Sequence, residues 1–495
     1  MIPWLRRVAR RLADAPRRGG HRAPDVGSPP ATRTVDVRIA SSLFDQVRAH
    51  VEDFRRGEEA GFLICSVSRL DDRDALLARE WHPIPDSAVE RRAHGSVLSW
   101  SAQFNSDVLQ RAVDLDATPV LVHSHGSAAP RFSSDDRSKE HALFGAFSRI
   151  VDPLPTGTLL LGRADAAGSF WIAGRNDRLE FRRLVVVGPT IASWNAVTGR
   201  REGHVPRQRL ARQTVAIGPE SDDKLAAAVV AIVGVSGGGS HVFQQLTHQG
   251  VGTLVPIDDQ VLDETNLGRH VGAQAADIDR APKTAIAKRL ASGVDPSIRV
   301  RELNQRFPSA DTIVAMKGAD VVVACLDRFD AREAVNAFCR RYLIPLVDIG
   351  ISIESTGERL AKADGQVIVA LPGEPCLRCF FLTDALLAWE RKHRPPGYDQ
   401  NPDAPGDPQV VSMNGVLASE ACNSVLDLIT GYSGGRRGAR QWQYDGRTGE
   451  LALSDLPSMR LGCPACAQAG HGDPPAALQE RDLTPPAAPS TARSW

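Results

Sequence analysis

Four side chains in the first third of the chain have the types and spacing of a metal-dependent hydrolytic site. His123-Ser-His125 offers two imidazoles one residue apart, and Asp136 follows eleven residues after the second. Two nitrogens and one carboxylate oxygen leave a fourth position open, which suits a catalytic zinc site better than a closed structural one. Hydrolysis also needs a base beside the metal-bound water, because the ion alone lowers the pKa of that water only to about 7. Glu58 is the candidate.

Two further groups of residues can do chemistry. Cys376-Leu-Arg-Cys379 and Cys463-Pro-Ala-Cys466 supply four thiolates, enough for a closed structural zinc site with Zn–S bonds of about 2.3 Å. The other group surrounds a glycine-rich turn, Gly234-Val-Ser-Gly237-Gly238-Gly239-Ser240, whose backbone amides and following helix N-terminus can face phosphate. Asp258 closes the next apolar run, where it can bind ribose hydroxyls, and on its own it would suit an NAD enzyme equally well. Asn266, Arg269, Lys283 and Asp327 separate those readings. Several polar and cationic groups with a metal-binding acid are equipment for a triphosphate.

The elements that must position these residues follow from apolar patterning. Gly61–Ser66 and Pro119–His123 read as buried strands, with the alternation placing His123 and His125 on one face. A helix-like run from Ser133 to Phe147 returns Asp136 to them. Val229–Val233, Gly252–Ile257 and Asp320–Leu326 read as buried strands alternating with helices, the signature of a parallel sheet with crossover helices.

With 495 residues the chain exceeds one ordinary core. Its 59 basic and 59 acidic residues balance, so composition calls for neither nucleic acid nor membrane as partner. No run is long and apolar enough for a membrane span, and a cytoplasmic protein is expected. Residues 1–34, with eight arginines among Pro, Gly and Ala, read as a disordered basic arm, and 468–495 as a disordered tail. Between them the expected domains are 35–188 and 212–467, joined by a linker over 189–211. Cys65, Cys325, Cys339 and Cys422 read as structural thiols, with Cys422 having the weakest claim because it sits on an expected helix.

At these residues the chain resembles two families. Glu58-x-x-Gly61, His123-x-His125 and then Ser133-x-x-Asp136 match the JAMM/MPN signature. The stretch Ile257-Asp258, Asn266-Leu267, Arg269, Lys283, Leu326-Asp327 to Arg332 and Val411 to Asn414 resembles the ThiF/MoeB/HesA adenylyltransferases, relatives of ubiquitin-activating enzymes. The resemblance implies an α/β protein: a JAMM/MPN (cytidine-deaminase-like) domain followed by a Rossmann-like domain with a mostly parallel sheet.

It also implies roles. His123, His125 and Asp136 become ligands of a catalytic zinc, Glu58 the general base and acid, and Ser133 the holder of the oxyanion. In the second domain ATP would lie on the turn from Gly234 to Gly239, with Asp258 on ribose, Asn266, Arg269 and Lys283 on phosphates, and Asp327 on magnesium. Arg212 resembles the arginine that reaches into the partner's site in a family homodimer. Gly126, Ser236, Gln260 and His270 depart from the usual residues. The implied activity is ATP-dependent adenylation of the C-terminal glycine of a small ubiquitin-like or sulfur-carrier protein, coupled to zinc-dependent (iso)peptidase action on it. The reaction partners would include a conjugating enzyme or a sulfur donor, in a bacterial conjugation pathway or in cofactor synthesis. A nucleotide-dependent binding module is the rival from another class.

Overall fold

The computed structural model describes residues 33–52, 58–93, 96–126, 130–174, 178–195, 207–356, 359–394, 408–434, 438–475 and 477. These fall into two compact units. The first holds the described residues up to Val186, then 193–195, then those from Gly470 onward; the second holds 187–192 and the described residues from 207 to 469. Most of the expected arm and of the expected tail, part of the linker and the proline-rich stretch 395–407 lie outside the described residues.

In the first unit the strands are β1 (Thr34–Ala40), β2 (Ala60–Arg69), β3 (Arg73–Pro83), the hairpin β4 (Val89–Ala93) and β5 (Ser96–Trp100), β6 (Thr118–Ser124), β7 (Thr156–Leu161), β8 (Ala166–Trp171), β9 (Leu179–Val187) and β10 (Ala192–Asn195). They form one sheet in the order β1-β3-β2-β6-β7-β8-β9-β10, β9 also pairing with β1, while β4 and β5 stand apart. Helices α1 (Ser41–Val51), α2 (Ala102–Asp114) and α3 (Ser134–Ile150) accompany the sheet. Every residue of β6 is buried and all but the last of β2, as continuous apolar runs require when both faces are covered. The helix α2 starts at Ser101, whose hydroxyl accepts from the Phe104 amide, and buries Val108, Leu109, Ala112 and Val113 at helical spacing.

Register places the chemistry. β2 and β6 run antiparallel with Ala60 opposite His123, so the residues just before β2 lie beside the end of β6. β6 and β7 run parallel, Leu121 opposite Thr158, and the connection between them carries α3, since parallel neighbours need a crossover.

The second unit is built on β11 (Val229–Val233), β12 (Thr253–Ile257), β13 (Arg299–Val300), β14 (Val321–Ala324), β15 (Leu346–Thr356), β16 (Arg359–Ala370), β17 (Arg440–Asp445) and β18 (Glu450–Leu453). Its sheet runs β13-β12-β11-β14-β15-β16-β17-β18. The first five strands are parallel and the pairs from β15 to β18 antiparallel. The expectation of a mostly parallel sheet is thus corrected to a mixed one. The reason is local: β15 ends at Thr356 and β16 starts at Arg359, too close for a crossover, so the chain folds straight back. Helices used below are α4 (Ala211–Ile217), α5 (Gly237–Gln249), α6 (Glu264–Leu267), α7 (Lys283–Val294), α8 (Phe329–Arg341) and α9 (Val411–Thr430). Strand order reverses at β11 and β14, and crevices for ligands form at such a switch point, beyond the strands' carboxyl ends.

Two boundaries differ from those expected. Residues 192–195, inside the expected linker, form β10. Gly470–Asp473, inside the expected tail, lie on the first unit: the Asp473 amide donates to Val67 O at 2.8 Å, and Asp473 Oδ2 accepts from the Arg69 amide at 2.8 Å. His471 Nε2 is 3.0 Å from an Arg79 guanidinium nitrogen. Composition alone hid this, because a few hydrogen bonds along β2 order a polar segment that has no core of its own.

Candidate active sites

The pairing of β2 with β6 brings Glu58, His123, His125 and Asp136 together, with their ligand atoms all within 4.8 Å of one another. His123 Nε2 is 3.8 Å from Glu58 Oε1 and 3.5 Å from Asp136 Oδ1, and His125 Nε2 is 3.4 Å from Glu58 Oε1 and from Asp136 Oδ2. The two imidazoles do not share a strand face as expected, because β6 ends at Ser124 and His125 stands on the turn. The turn still delivers it. Gly126, φ +68°, adopts the left-handed region and donates its amide to Ser124 Oγ at 3.2 Å, a conformation and a bond that proline cannot supply.

Asp136 is held from its own helix. Ser133 is the N-cap of α3 in a capping box: its amide and hydroxyl each donate to Asp136 Oδ2 at 2.7 Å, and its oxygen accepts the Asp136 amide at 3.1 Å. Its hydroxyl, expected to hold an oxyanion, is here engaged with Asp136. Burial raises the Asp136 pKa, but the pull of His123 at 3.5 Å and the hydrogen bonds from Ser133 outweigh it, so the carboxyl sits well below its usual range. Hydrogen bonding to Glu58 holds His125 above the usual imidazole value. Gly61 lets β2 pass under Trp81, whose ring would lie 2.5 Å from any Cβ there.

The residues fit a metal ion. His123 is 5% exposed, yet among the described residues neither of its ring nitrogens has a hydrogen-bond partner, which is costly for a buried polar group unless an ion is its partner. The four cysteines fit as well. Cys376 Sγ is 3.9 Å from Cys379 and 3.6 Å from Cys463, and Cys379 is 3.8 Å from Cys466. A zinc tetrahedron with bonds of about 2.3 Å has edges of about 3.8 Å. Arg340, which sequence reading did not single out, braces this knuckle by donating to Leu371 O and, at 2.7 Å, to Pro375 O.

In the second unit the glycine-rich turn leaves β11 and enters α5. Gly234 has φ +84°, and a Cβ at Gly239 would lie 1.9 Å from Gly234 O, so the turn closes only on glycine. Asp258, at the end of β12, accepts the Val235 amide at 2.8 Å and the Gln260 amide at 3.0 Å. Burial pushes its pKa up against the pull of Lys283 and those amides. Asn266 is buried on α6 and accepts Ser236 Oγ at 3.2 Å. Gly237 and Gly238 begin α5 beside Asn414 and Ile349, which would lie 2.9 and 2.8 Å from a Cβ.

Lys283 at the start of α7 is 1% exposed, with Nζ 2.6 Å from Gln260 Oε1 and 3.4 Å from Ser236 Oγ. Those partners are two of the four unusual residues noted in the sequence. Desolvation lowers the Lys283 pKa, while Asp258, Asp263 and Asp327 pull the other way. Asp327 is exposed just beyond β14, and Arg269 donates to Thr265 O at 2.9 Å. Arg212 stands exposed on α4, and among the described residues no hydrogen bond or ion pair joins it to this cluster. Sequence reading missed the ion pair of Arg332 with Asp348, both buried, behind the site. Cys422 lies fully buried on α9 with Sγ 3.7 Å from Val242 O, and burial pushes its thiol up.

A model of the ThiF family matches residues 210–465, and a model of prokaryotic homologs of the JAB domain matches 40–185. The chain belongs to the ThiF family and carries a JAB-type domain ahead of it. Curated relatives include the SAMP-activating enzyme E1 of Haloferax volcanii, 34% identical over 165 residues, covering 33% of this chain and 57% of that protein. The sulfur carrier protein ThiS adenylyltransferase of Escherichia coli is 28% identical over 257 residues, covering 52% of this chain and 92% of that protein. Over the archaeal relative the match thus spans little more than half of that protein's length. Among solved structures, E. coli MccB aligns with a TM-score of 0.44 at 21% identity, covering 53% of this chain and 73% of that one. No helix among the described residues is long and apolar enough to cross a membrane.

Proposed function

We propose that the second unit adenylates the C-terminal glycine of a small ubiquitin-like or sulfur-carrier protein with ATP, and that the first unit is a zinc (iso)peptidase acting on the same protein. The observation that carries the reading is the convergence of Asp258, Asn266 and Lys283 on the glycine turn at the strand switch point. Relatives named for activating SAMP or ThiS support the substrate class.

In the adenylation step a carrier carboxylate oxygen attacks the α-phosphorus and pyrophosphate leaves. The chain's contribution is charge neutralisation and alignment, since the nucleophile arrives with the substrate. Lys283 and Arg269 face the phosphates, Asn266 orients them, and Asp258 takes the ribose hydroxyls. Asp327 would hold magnesium, which supplies further positive charge to the phosphates. Ser236 and Gln260 keep the Lys283 ammonium aimed at the turn while the site is empty. Arg212 would complete the partner's site in a homodimer. With its thiol buried, Cys422 does not take part, so the adenylate passes to a thiol or sulfur donor supplied by another protein.

In the first unit His123, His125 and Asp136 would hold zinc, which supplies Lewis acidity and an acidified water. Glu58 takes the proton from the attacking water and returns it to the leaving amine. Ser133 fixes Asp136 and, once freed by metal binding, can donate to the oxyanion. Pathways in conjugation and in sulfur transfer both use such an adenylate, and the buried Cys422 favours neither.

The test is mass spectrometry of candidate carriers incubated with the protein, ATP and magnesium. An added AMP or a pyrophosphate-exchange signal, together with zinc-dependent loss of a C-terminal extension or of a linked lysine, is the expected outcome. A protein that binds carriers but gives neither product would be the binding module instead.

A further inference from the structure

One buried acid in the first unit takes no part in the chemistry above. Glu140 lies four residues after Asp136 on α3, one helical turn or about 6 Å along the same face. It is 3% exposed, and neither carboxylate oxygen has a hydrogen-bond partner among the described residues. Arg178 is its nearest cation at 3.9 Å, beyond hydrogen-bond reach, and its guanidinium lies over the Trp171 ring, 4.8 Å from the centroid. The neighbouring Thr158 hydroxyl, close enough to pull on the Glu140 carboxyl, is buried and also has no hydrogen-bond partner among the described residues. A carboxyl left this way costs free energy unless something else completes it.

That something has a place to sit. Glu140 lines a cavity of about 410 Å³ whose wall also includes Glu58, His123 and Asp136. The cavity is therefore continuous with the hydrolytic cluster. Its apolar lining includes Trp100 of β5, Leu121 of β6 and Phe144 of α3, with Ser99 and Asn105 among its polar members.

We infer that this cavity is a side-chain subsite of the hydrolytic centre, and that Glu140 reads an unmodified lysine or arginine close to the cleaved bond. The inference rests on the peptidase reading above. An aliphatic stem fits between Trp100, Leu121 and Phe144, and its cationic head meets the Glu140 carboxyl, away from the Glu58 and Asp136 carboxyls that belong to the hydrolytic cluster. A norleucine stem would fill the same space and leave Glu140 uncompleted. An amide head could donate a hydrogen bond but would leave the charge of the carboxylate unbalanced. Lys139, exposed at the rim, disfavours a second basic residue at the entrance.

The experiment measures binding of Nα-acetyl-lysine methylamide and Nα-acetyl-norleucine methylamide to the zinc-loaded full chain by ligand-observed NMR. The readout is binding of intact probe, confirmed by its unchanged spectrum after the measurement, so the result is independent of turnover. Lysine binding tighter by about tenfold or more is expected, with the preference abolished in Glu140→Gln. Ala142→Trp, at an exposed rim position, should block both probes without disturbing the core, which keeps the test valid if Glu140→Gln fails to fold. Equal binding of the two probes, or a preference that survives Glu140→Gln, overturns the subsite. Peptide cleavage without lysine preference would leave the peptidase reading standing, and lysine preference without any cleavage would leave only the pocket.

Discussion

The two candidate active sites differ in how they wait. In the second unit the cation nearest the glycine turn is already satisfied: Lys283 has hydrogen bonds to Gln260 and Ser236, and Asp258 is tied to two backbone amides. In the first unit the buried His123 ring nitrogens and the buried Glu140 oxygens have no hydrogen-bond partner among the described residues. On the proposed reading the nucleotide site would be preorganised by the chain itself, with phosphate displacing the Lys283 partners, and the hydrolytic centre would be completed from outside, by an ion and by substrate. Selective loss of a zinc held by His123, His125 and Asp136 should therefore silence the first unit and leave nucleotide binding at the second intact.

The sharpest break of that comparison is Glu58→Gln. It should lower zinc-dependent cleavage by about 10²–10⁴-fold, the usual worth of a general base, while pyrophosphate exchange stays at the wild-type rate. A parallel loss of exchange would show that the two units do not act separately. Next in size, Lys283→Ala should slow pyrophosphate exchange by about 10²–10³-fold, as expected for one preorganised charge-stabilising donor. Unchanged exchange in this variant would remove Lys283 from the phosphates.

His270 sharpens the comparison through pH. It is 5% exposed, and burial first, then Lys283, lower its pKa from 6.5 to about 4. The folded protein thus resists a proton that the unfolded chain accepts. Its contribution to stability is full above pH 6.5 and is lost as pH falls from 6.5 to about 4, by about 3 kcal/mol at most. His270→Gln should flatten denaturant-measured stability across that window. A wild-type slope retained by the variant would assign the acid sensitivity to other groups.

The smallest effect concerns residues 470–473. Ending the chain after Ala469 removes the two backbone-amide hydrogen bonds that join Asp473 to β2, together worth about 2 kcal/mol. Hydrogen exchange in β2 should quicken while β11 keeps its protection. Equal protection of β2 in both forms would mean that the segment adds nothing to the first unit.

Much of both sites was legible because each ligand set follows a short spacing. His-x-His, Ser-x-x-Asp and Cys-x-x-Cys work through local geometry, a turn or a helix cap, and local geometry is written in neighbouring residues. Glu140 also left a trace, since a carboxylate four positions after Asp136 shares its helix face. The trace could not say that the face borders a cavity. Asp348 and Arg340 left none, because their partners, Arg332 at one and the Leu371 and Pro375 carbonyls at the other, are chosen by packing.

Residue types and short-range spacing by themselves determined the candidate metal-ligand sets, the glycine turn and the strands and helices that hold them. Tertiary structure alone decided which distant residues meet: Ala60 opposite His123, which brings Glu58 to its cluster, the antiparallel half of the second sheet, and the return of Asp473 to β2. The physical reason is range. Backbone and capping preferences act over a few residues, whereas register, burial and cavity shape come from contacts between segments far apart in the chain.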